Sequence, residues 1–453
     1  MLHFITDILS TPAILIGLVA LLGLTIQRKS SSDIIKGSIK TILGFIVIGG
    51  GASILVTSVT PMGVLMAQGF NLRGVIPNNE AIYATAMANF GAPTSLIMAF
   101  GMVANIFFAR YSKFKFIFLT GHHTLYMACM IAIILSVAGF SGFMLVFLGS
   151  VTLGLIMVLF PAMAQPFMSK ITGSDDVAFG HFSTLGYVAS GLVGQLVGKG
   201  SKSTEEMNLP KNLVFLRDSS ISISLTMGII YLVLVLAAGS EFVTANLSNG
   251  QNPIVYAILT AIGFAAGVFV ILQGVRLVLA EIVPAFTGIS QKLVPNAKPA
   301  LDCPIVFPYA QNAVLIGFLC SFLGGLVSMG VLGVMEFTLI LPGVVPHFFT
   351  GATAGVFGNA TGGRRGAVIG SFVNGVVITF LTLWLLPVLG DLGFANTTFS
   401  DSDFAVTGIF LGYLAMLGKE AVILGIALVA AAVLSTNFLG KSSLDTMKKS
   451  NSL

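Results

Sequence analysis

The chain has 453 residues, 56% of them hydrophobic and 9% charged, with a mean hydropathy of +0.99 and a formal net charge of +5. A soluble globular chain carries roughly 25% charged residues, so this composition excludes a soluble enzyme and predicts an all-α integral membrane protein. Its positive charge sits in clusters between apolar runs and reads as membrane topology, so lipid is the expected partner and nucleic acid is not.

At about 20 residues per span, about eleven apolar segments follow in chain order. They lie near residues 10–26, 38–59, 84–109, 115–137, 140–163, 221–239, 253–279, 311–335, 336–358, 366–389 and 421–439. The 52 glycines and 16 prolines suit close-packed and discontinuous helices. Residues 1–10 lack a basic n-region and no small-residue cleavage site follows, so no cleavable signal is expected. Cys129, Cys303 and Cys320 lie in apolar sequence without CxxC spacing, which predicts neither a disulfide framework nor a thiolate metal site.

Basic residues follow the first span at Arg28, Lys29, Lys36 and Lys40, and recur at Arg110, Lys113 and Lys115. Lys441, Lys448 and Lys449 place the tail in the cytoplasm on the positive-inside rule. The longest polar stretch, residues 198–220, reads as a linker between two halves. Those halves echo each other. Residues 44–48 recur at 267–271, an offset of 223, and Gly51 and Pro61 fall on Gly274 and Pro284. His122 meets His347 at an offset of 225. Weak internal repetition in a membrane chain is the mark of transporters whose site lies at the repeat interface. The repeat is inverted if residues 180–197 are re-entrant.

Four polar spots can carry chemistry. In the first, Pro77 ends one element and Asn78, Asn79 and Glu80 open the next, with Tyr83 one turn on. A helix starting there aims backbone N–H groups at a polar substrate, although an ordinary cap has the same sequence. The second is His122 and His123 inside the apolar run 114–145, with Tyr126 at i+4 from His122. A polar side chain at that depth costs several kcal/mol unless it finds a partner or lines a wet cavity. The third is Gly180, His181 and Phe182, where a solvated loop histidine is the bland alternative. The fourth is Asp302, an acid among prolines and apolar residues leading into a span, and such acids are functional by default. Gln273, Arg276 and Glu281 are read as structural, Arg276 and Glu281 balancing each other. The chain has no GxxxxGK[ST] phosphate loop, no GxSxG and no His/Cys/Asp cluster at metal-ligand spacing, so neither a cofactor nor a metal is expected.

The segments Arg28–Ser30, Ile34–Phe45, Leu119–His122, Gln273–Arg276, Ala285–Gln291, Asp302–Cys303, Pro342–Gly343 and Ala354–Phe357 resemble, in order along residues 28–390, the integral membrane IIC subunit of the ascorbate-type phosphotransferase system. The galactitol-type IIC subunit is a more distant relation. The resemblance implies a homodimer in the bacterial cytoplasmic membrane, each protomer carrying two inverted repeats. A V-shaped scaffold forms the dimer contact and a core moves as an elevator. It divides this single membrane domain into repeat 1 (residues 10–165), a connecting region (166–250), repeat 2 (251–440) and a cytoplasmic tail (441–453).

It also implies uptake of L-ascorbate, or a related sugar acid or polyol, with phosphorylation by a cysteine on a separate IIB subunit. IIA, HPr and enzyme I stand upstream as partners, and no fused IIA or IIB domain is expected in this chain. Carried over by position, the substrate contacts fall on the Asn79 and Glu80 region, His122, Tyr126, His181, Phe182 and Asp302, and Tyr83 beside Glu80 is counted with them. Asp302 or His181 acts as the base toward the attacking hydroxyl. Tyr126 and Phe182 stand where the ascorbate carriers have glutamine, which changes the hydroxyls that can be read. An ion-coupled secondary transporter that never phosphorylates its cargo is the competing expectation.

Overall fold

The computed structural model describes residues 12–71, 74–207, 215, 218–394 and 397–450. The chain opens with α1 (Pro12–Ile26) and α2 (Ser31–Phe70). Ser30 caps α2 by accepting the Asp33 N–H at 3.2 Å, and Asn71 ends it in the left-handed conformation at φ 53°. A repeated strand-then-helix pattern follows: β1 (Gly74–Pro77) and α3 (Asn79–Tyr111), β2 (Phe116–Phe118) and α4 (Gly121–Val137). After α5 (Gly142–Thr172) come β3 (Ala178–Phe179) and α6 (Thr184–Val197). Then α7 (Ser219–Ala238), α8 (Ser240–Asn246) and α9 (Pro253–Leu293) intervene. The pattern resumes with β4 (Lys298–Leu301), α10 (Gln311–Val334), β5 (Leu339–Ile340), α11 (Val344–Leu385), β6 (Thr397–Thr398), α12 (Ser402–Met416) and α13 (Lys419–Ser450).

Among the described residues, seven helices are long and apolar enough to cross a membrane, or eight if α7 and α8, bent at 101°, count as one span. The sequence predicts about eleven, and the physical reasons for the difference are local. Helix α4 has only 17 residues, about 25 Å at 1.5 Å per residue, against a hydrocarbon core of about 30 Å. Helix α6 has 14 residues and is shorter still. The expected spans 336–358 and 366–389 are joined in α11, but Gly363 interrupts it at φ 55°, ψ −144°. Thr350 and Asn374, on either side of that break, hydrogen-bond at 3.1 Å, so α11 is two antiparallel arms. A Cβ on Gly358 would sit 2.3 Å from the Gly366 carbonyl, so only glycine lets the arms approach this closely.

The six short strands form two all-parallel sheets, ordered β5-β1-β6 and β2-β4-β3. Non-helical backbone inside a membrane must satisfy its polar groups within the protein, and these ladders do that. A separate layer is built on α2, α7 and α9. There Gly51 packs on Ile271 and Leu55 on Gly267, making α2 and α9 antiparallel, and the Tyr231 hydroxyl donates to the Ser58 carbonyl. Exposed Ile46, Phe100, Leu236 and Leu428 face outward, as lipid contact requires. The side chain of Glu281, the expected partner of Arg276, lies outside the described residues.

Candidate functional site: a cavity between two strand clusters

All six strands end at one cavity of about 230 Å³. Strand β1 delivers Asn79 and Glu80, β2 delivers His122 and His123, and β3 delivers His181. From the second half, β4 delivers Asp302, β5 delivers Val345 and Pro346, and β6 delivers Ser400 and Asp401. Because each strand turns directly into a helix, the N-termini of α3, α4, α6, α11 and α12 meet there, and their unpaired N–H ends favour electron-rich ligand groups. Arg276 of α9 completes the wall.

Asp302 is the accessible carboxylate, its side chain 34% exposed. It accepts the Cys303 N–H at 2.7 Å, which fixes its orientation at the start of a 3-10 turn. His122 Nε2 lies 3.5 Å from one carboxylate oxygen and His181 Nε2 4.0 Å from the other. The Tyr187 hydroxyl, 2.7 Å from His181 Nδ1, holds that ring from behind. Asp401 faces Asp302 across the cavity and is buried. It accepts from Asn79 Nδ2 at 3.1 Å and from Ser400 Oγ at 3.0 Å, and His123 Nε2 stands 3.8 Å away. Asn79 in turn accepts the Ser400 N–H at 3.1 Å, so β1 and β6 are cross-tied at the cavity edge. Two residues further, Asp403 accepts the N–H groups of Thr184 (2.8 Å) and Leu185 (2.9 Å), and Ser402 Oγ accepts that of Gly186 at 3.2 Å. Helices α6 and α12 are thereby locked N-terminus to N-terminus.

The ligand atoms of His123, His181 and Asp401 lie within 4.8 Å of one another, a spacing a metal ion could use. The hydrogen bonds argue otherwise. The Phe182 N–H donates to His123 Nδ1 at 3.3 Å, which puts the neutral ring's proton on Nε2, directed at Asp401. A metal-ligating histidine has the reverse arrangement, with its remote nitrogen donating outward. Each histidine of the trio is held by its own partner, His123 by the Phe182 N–H and His181 by the Tyr187 hydroxyl.

Of the residues expected from sequence, Asn79, Glu80, His122, His181 and Asp302 line the cavity. Tyr83 and Tyr126 do not. They pack on each other at 5.2 Å one helical turn behind it, Tyr126 edge-on to His122 at 6.1 Å. Phe182 also lies outside the lining: its ring stacks on Phe118 at 4.4 Å and meets Phe404 at 5.9 Å. Adjacent residues in extended backbone point to opposite sides, so a cavity-facing His181 sends Phe182 into the core. His347 is tied to Ser321 at 2.9 Å and is absent from the lining, and the starts of α4 and α11 instead put Val345 in register with His122. Sequence reasoning missed Ser400, Asp401 and Asp403 and read Arg276 as structural. Two acids directly before the apolar run 404–416 are the signal that could have found them.

Residues 7–403 match the family model of the PTS system sugar-specific permease component. The chain is also 24% identical over 435 residues to the ascorbate-specific PTS system EIIC component of Mycoplasma pneumoniae. That similarity covers 83% of this chain and 66% of the relative, so the chain spans just under two thirds of the relative's length. With the match to the permease model running through the strands, the cavity and all but the last of the membrane-crossing helices, this multi-pass protein of the cytoplasmic membrane belongs to the family of PTS sugar-specific permease components.

Proposed function

We propose that the chain is the membrane IIC subunit of a group-translocating system that takes up L-ascorbate, or a related sugar acid or polyol, and releases it phosphorylated. The observation that carries this reading is Asp302, a partly exposed carboxylate set between the imidazoles of His122 and His181 in the wall of the cavity. Asn79, Glu80 and His122 hold the substrate's hydroxyls. One hydroxyl oxygen attacks the phosphorus carried by a cysteine of a separate IIB subunit. The P–S bond breaks, the thiolate leaves with the electron pair, and the hydroxyl proton passes to Asp302. His181 stands as the alternative acceptor, held by Tyr187. Enzyme I, HPr and IIA recharge IIB from phosphoenolpyruvate.

The same reading makes the protein a homodimer with an elevator core and two inverted repeats. Matching element starts support the repeats: β1 and β4 begin at 74 and 298, β2 and β5 at 116 and 339, α4 and α11 at 121 and 344, β3 and β6 at 178 and 397. Repeat 1 then runs beyond residue 165 to the end of α6, and the connecting region narrows to residues 198–250.

The test is uptake of labelled L-ascorbate by cells expressing the chain with and without its IIB and IIA proteins, with identification of the intracellular product. Ascorbate phosphate formed only with the partners, and lost in Asp302→Asn, is the expected result. A general base contributes about 10²–10⁴-fold, so the loss is to be at least 100-fold with substrate binding retained. Accumulation of free ascorbate without partners, abolished by an uncoupler, would replace this reading by an ion-coupled one. The buried His123–Asp401 pair would suit that alternative.

A further inference from the structure

The contacts sort the loops onto two faces. The Lys113 N–H donates to Thr436 Oγ1, late in α13, at 3.1 Å, and the Lys298 N–H donates to the Lys115 carbonyl at 2.7 Å. Lys298 Nζ lies 4.0 Å from Asp175, just past the end of α5. Gly191, late in α6, packs on Phe167, late in α5, and Gly198 packs on Gly362 beside the break in α11. The ends of α3, α5 and α6, the later part of α13 and the α11 break therefore share one face. The starts of α5 and α13 share the other, where Lys419 Nζ donates to the Gly139 carbonyl at 2.6 Å. The first face carries Arg110, Lys113, Lys115, Lys170, Arg364 and Arg365, with Asp175 and Glu206 among them, whereas the second carries Lys419 beside Asp391 and Glu420. The positive-inside rule assigns the first face to the cytoplasm.

One basic cluster on that face is built to a fixed shape. At the break in α11 the Arg364 N–H donates to the Lys202 carbonyl at 2.8 Å, and Arg364 Nε donates to the Ser203 carbonyl at 3.2 Å. The Arg365 N–H donates to Ser201 Oγ at 3.2 Å, and the Thr204 N–H to Asn359 Oδ1 at 2.9 Å. The strap 199–206 is thus fastened over the helical break, with Lys199, Lys202 and Arg365 exposed along it. Of its acids, Glu205 is exposed but engaged in capping α10 through the N–H groups of Asn312 (2.9 Å) and Ala313 (3.2 Å). Glu206 lies 3.8 Å from Lys202 and offsets only that one charge, with both side chains more than half exposed. The patch is joined to the cavity by two helices: the first turn of α11 places Val345 and Pro346 in its wall, and α6 begins three residues after His181.

We infer that this patch, Lys199, Lys202, Arg364 and Arg365, is the docking surface for the soluble phosphoryl-donor protein, engaging an acidic surface around its phosphorylated side chain. This inference rests on the group-translocation reading. A rigid strap favours a protein over a lipid headgroup, because fixed charges select a fixed complementary pattern whereas lipid needs only mobile ones. Exposed charges at such a rim govern encounter rate and its salt dependence more than turnover once bound.

The experiment uses the triple variant Lys199→Gln/Lys202→Gln/Arg365→Gln, leaving Arg364 because it holds the strap. Wild type and variant are reconstituted in nanodiscs, and binding of the purified IIB protein of the same organism is measured at 50 and 300 mM salt alongside sugar-phosphate formation. The expected result is an apparent Kd and KM for IIB raised about tenfold at low salt. The salt dependence of the wild type is flattened, and turnover at saturating IIB is unchanged. Equal affinity and equal salt dependence in the two proteins overturn the inference while leaving the proposed function standing. A defect seen only in phosphatidylglycerol discs and absent in phosphatidylcholine discs assigns the patch to lipid headgroups and also overturns it. If wild-type protein neither binds IIB nor yields sugar phosphate, the group-translocation reading itself falls, and the docking surface with it.

Discussion

Replacing Asp401 separates what its shape does from what its charge does. The carboxylate accepts from Asn79 Nδ2 at 3.1 Å and Ser400 Oγ at 3.0 Å and faces His123 Nε2 at 3.8 Å, with its side chain only 3% exposed. Asp401→Ala strands the Asn79 amide and removes the carboxylate that stands 3.8 Å from His123 Nε2. A buried donor left unpaired costs about 1–3 kcal/mol, so the loss is about 2–4 kcal/mol after Ser400 rotates to another partner. Asp401→Asn can keep both bonds, its amide oxygen accepting from Asn79 and its amide nitrogen donating to Ser400 Oγ. Its cost is then confined to the lost charge, about 1 kcal/mol. That loss falls on the folded state; the part reaching the cavity through the freed Asn79 need be only about 1.4 kcal/mol to weaken binding of L-ascorbate in detergent tenfold, the result expected for the alanine variant. In the asparagine variant it should stay within about fivefold of wild type. Thermal unfolding of each variant, followed alongside, separates loss of fold from loss of site. Wild-type affinity and stability in Asp401→Ala would refute the reasoning, because the cross-tie between β1 and β6 would then be holding nothing.

Three further outcomes follow from the packing. Phe182→Gln introduces the residue of the ascorbate carriers but buries an amide among Phe118, Phe160 and Phe404. It should destabilise by about 2–4 kcal/mol without raising ascorbate uptake, and enhanced uptake from a protein of unchanged thermal stability would contradict the core placement. Tyr187→Phe removes the hydroxyl 2.7 Å from His181 Nδ1. A hydrogen bond of this kind is worth about 1 kcal/mol, so sugar-phosphate formation should fall about fivefold with ascorbate binding nearly unchanged; equal loss in both would place Tyr187 in binding. Gly358→Val drives a branched side chain into the Gly366 carbonyl. It should abolish the monodisperse peak on size-exclusion chromatography, whereas a well-behaved folded variant would show that the α11 arms can separate.

The division between what sequence and tertiary structure decide follows from the range of the physics involved. Composition and apolar runs alone give an all-α membrane protein, because burying backbone in lipid leaves few choices of structure. The cost of burying charge marks His122, His181 and Asp302 one residue at a time, and the cavity brings these three together. A spacing near 223 residues is also readable from sequence, yet matching residue types misassigned His347, which sits two positions out of register with His122 by element start. Asp401 stayed hidden because its partners, Asn79 and His123, are some 300 residues away in the chain, and no local pattern records that distance. The same holds for Phe182 and Tyr126: a sequence gives their proximity to histidines but not the side of the backbone they occupy. Membrane sidedness is the last case. Short helices such as α4 and α6, and the break in α11, make alternation of spans uninformative, and only the contacts between helix ends gather the basic residues onto one face. Residue chemistry, read locally, selects the groups that can act; the reciprocal strand exchange β5-β1-β6 and β2-β4-β3 decides which of them meet.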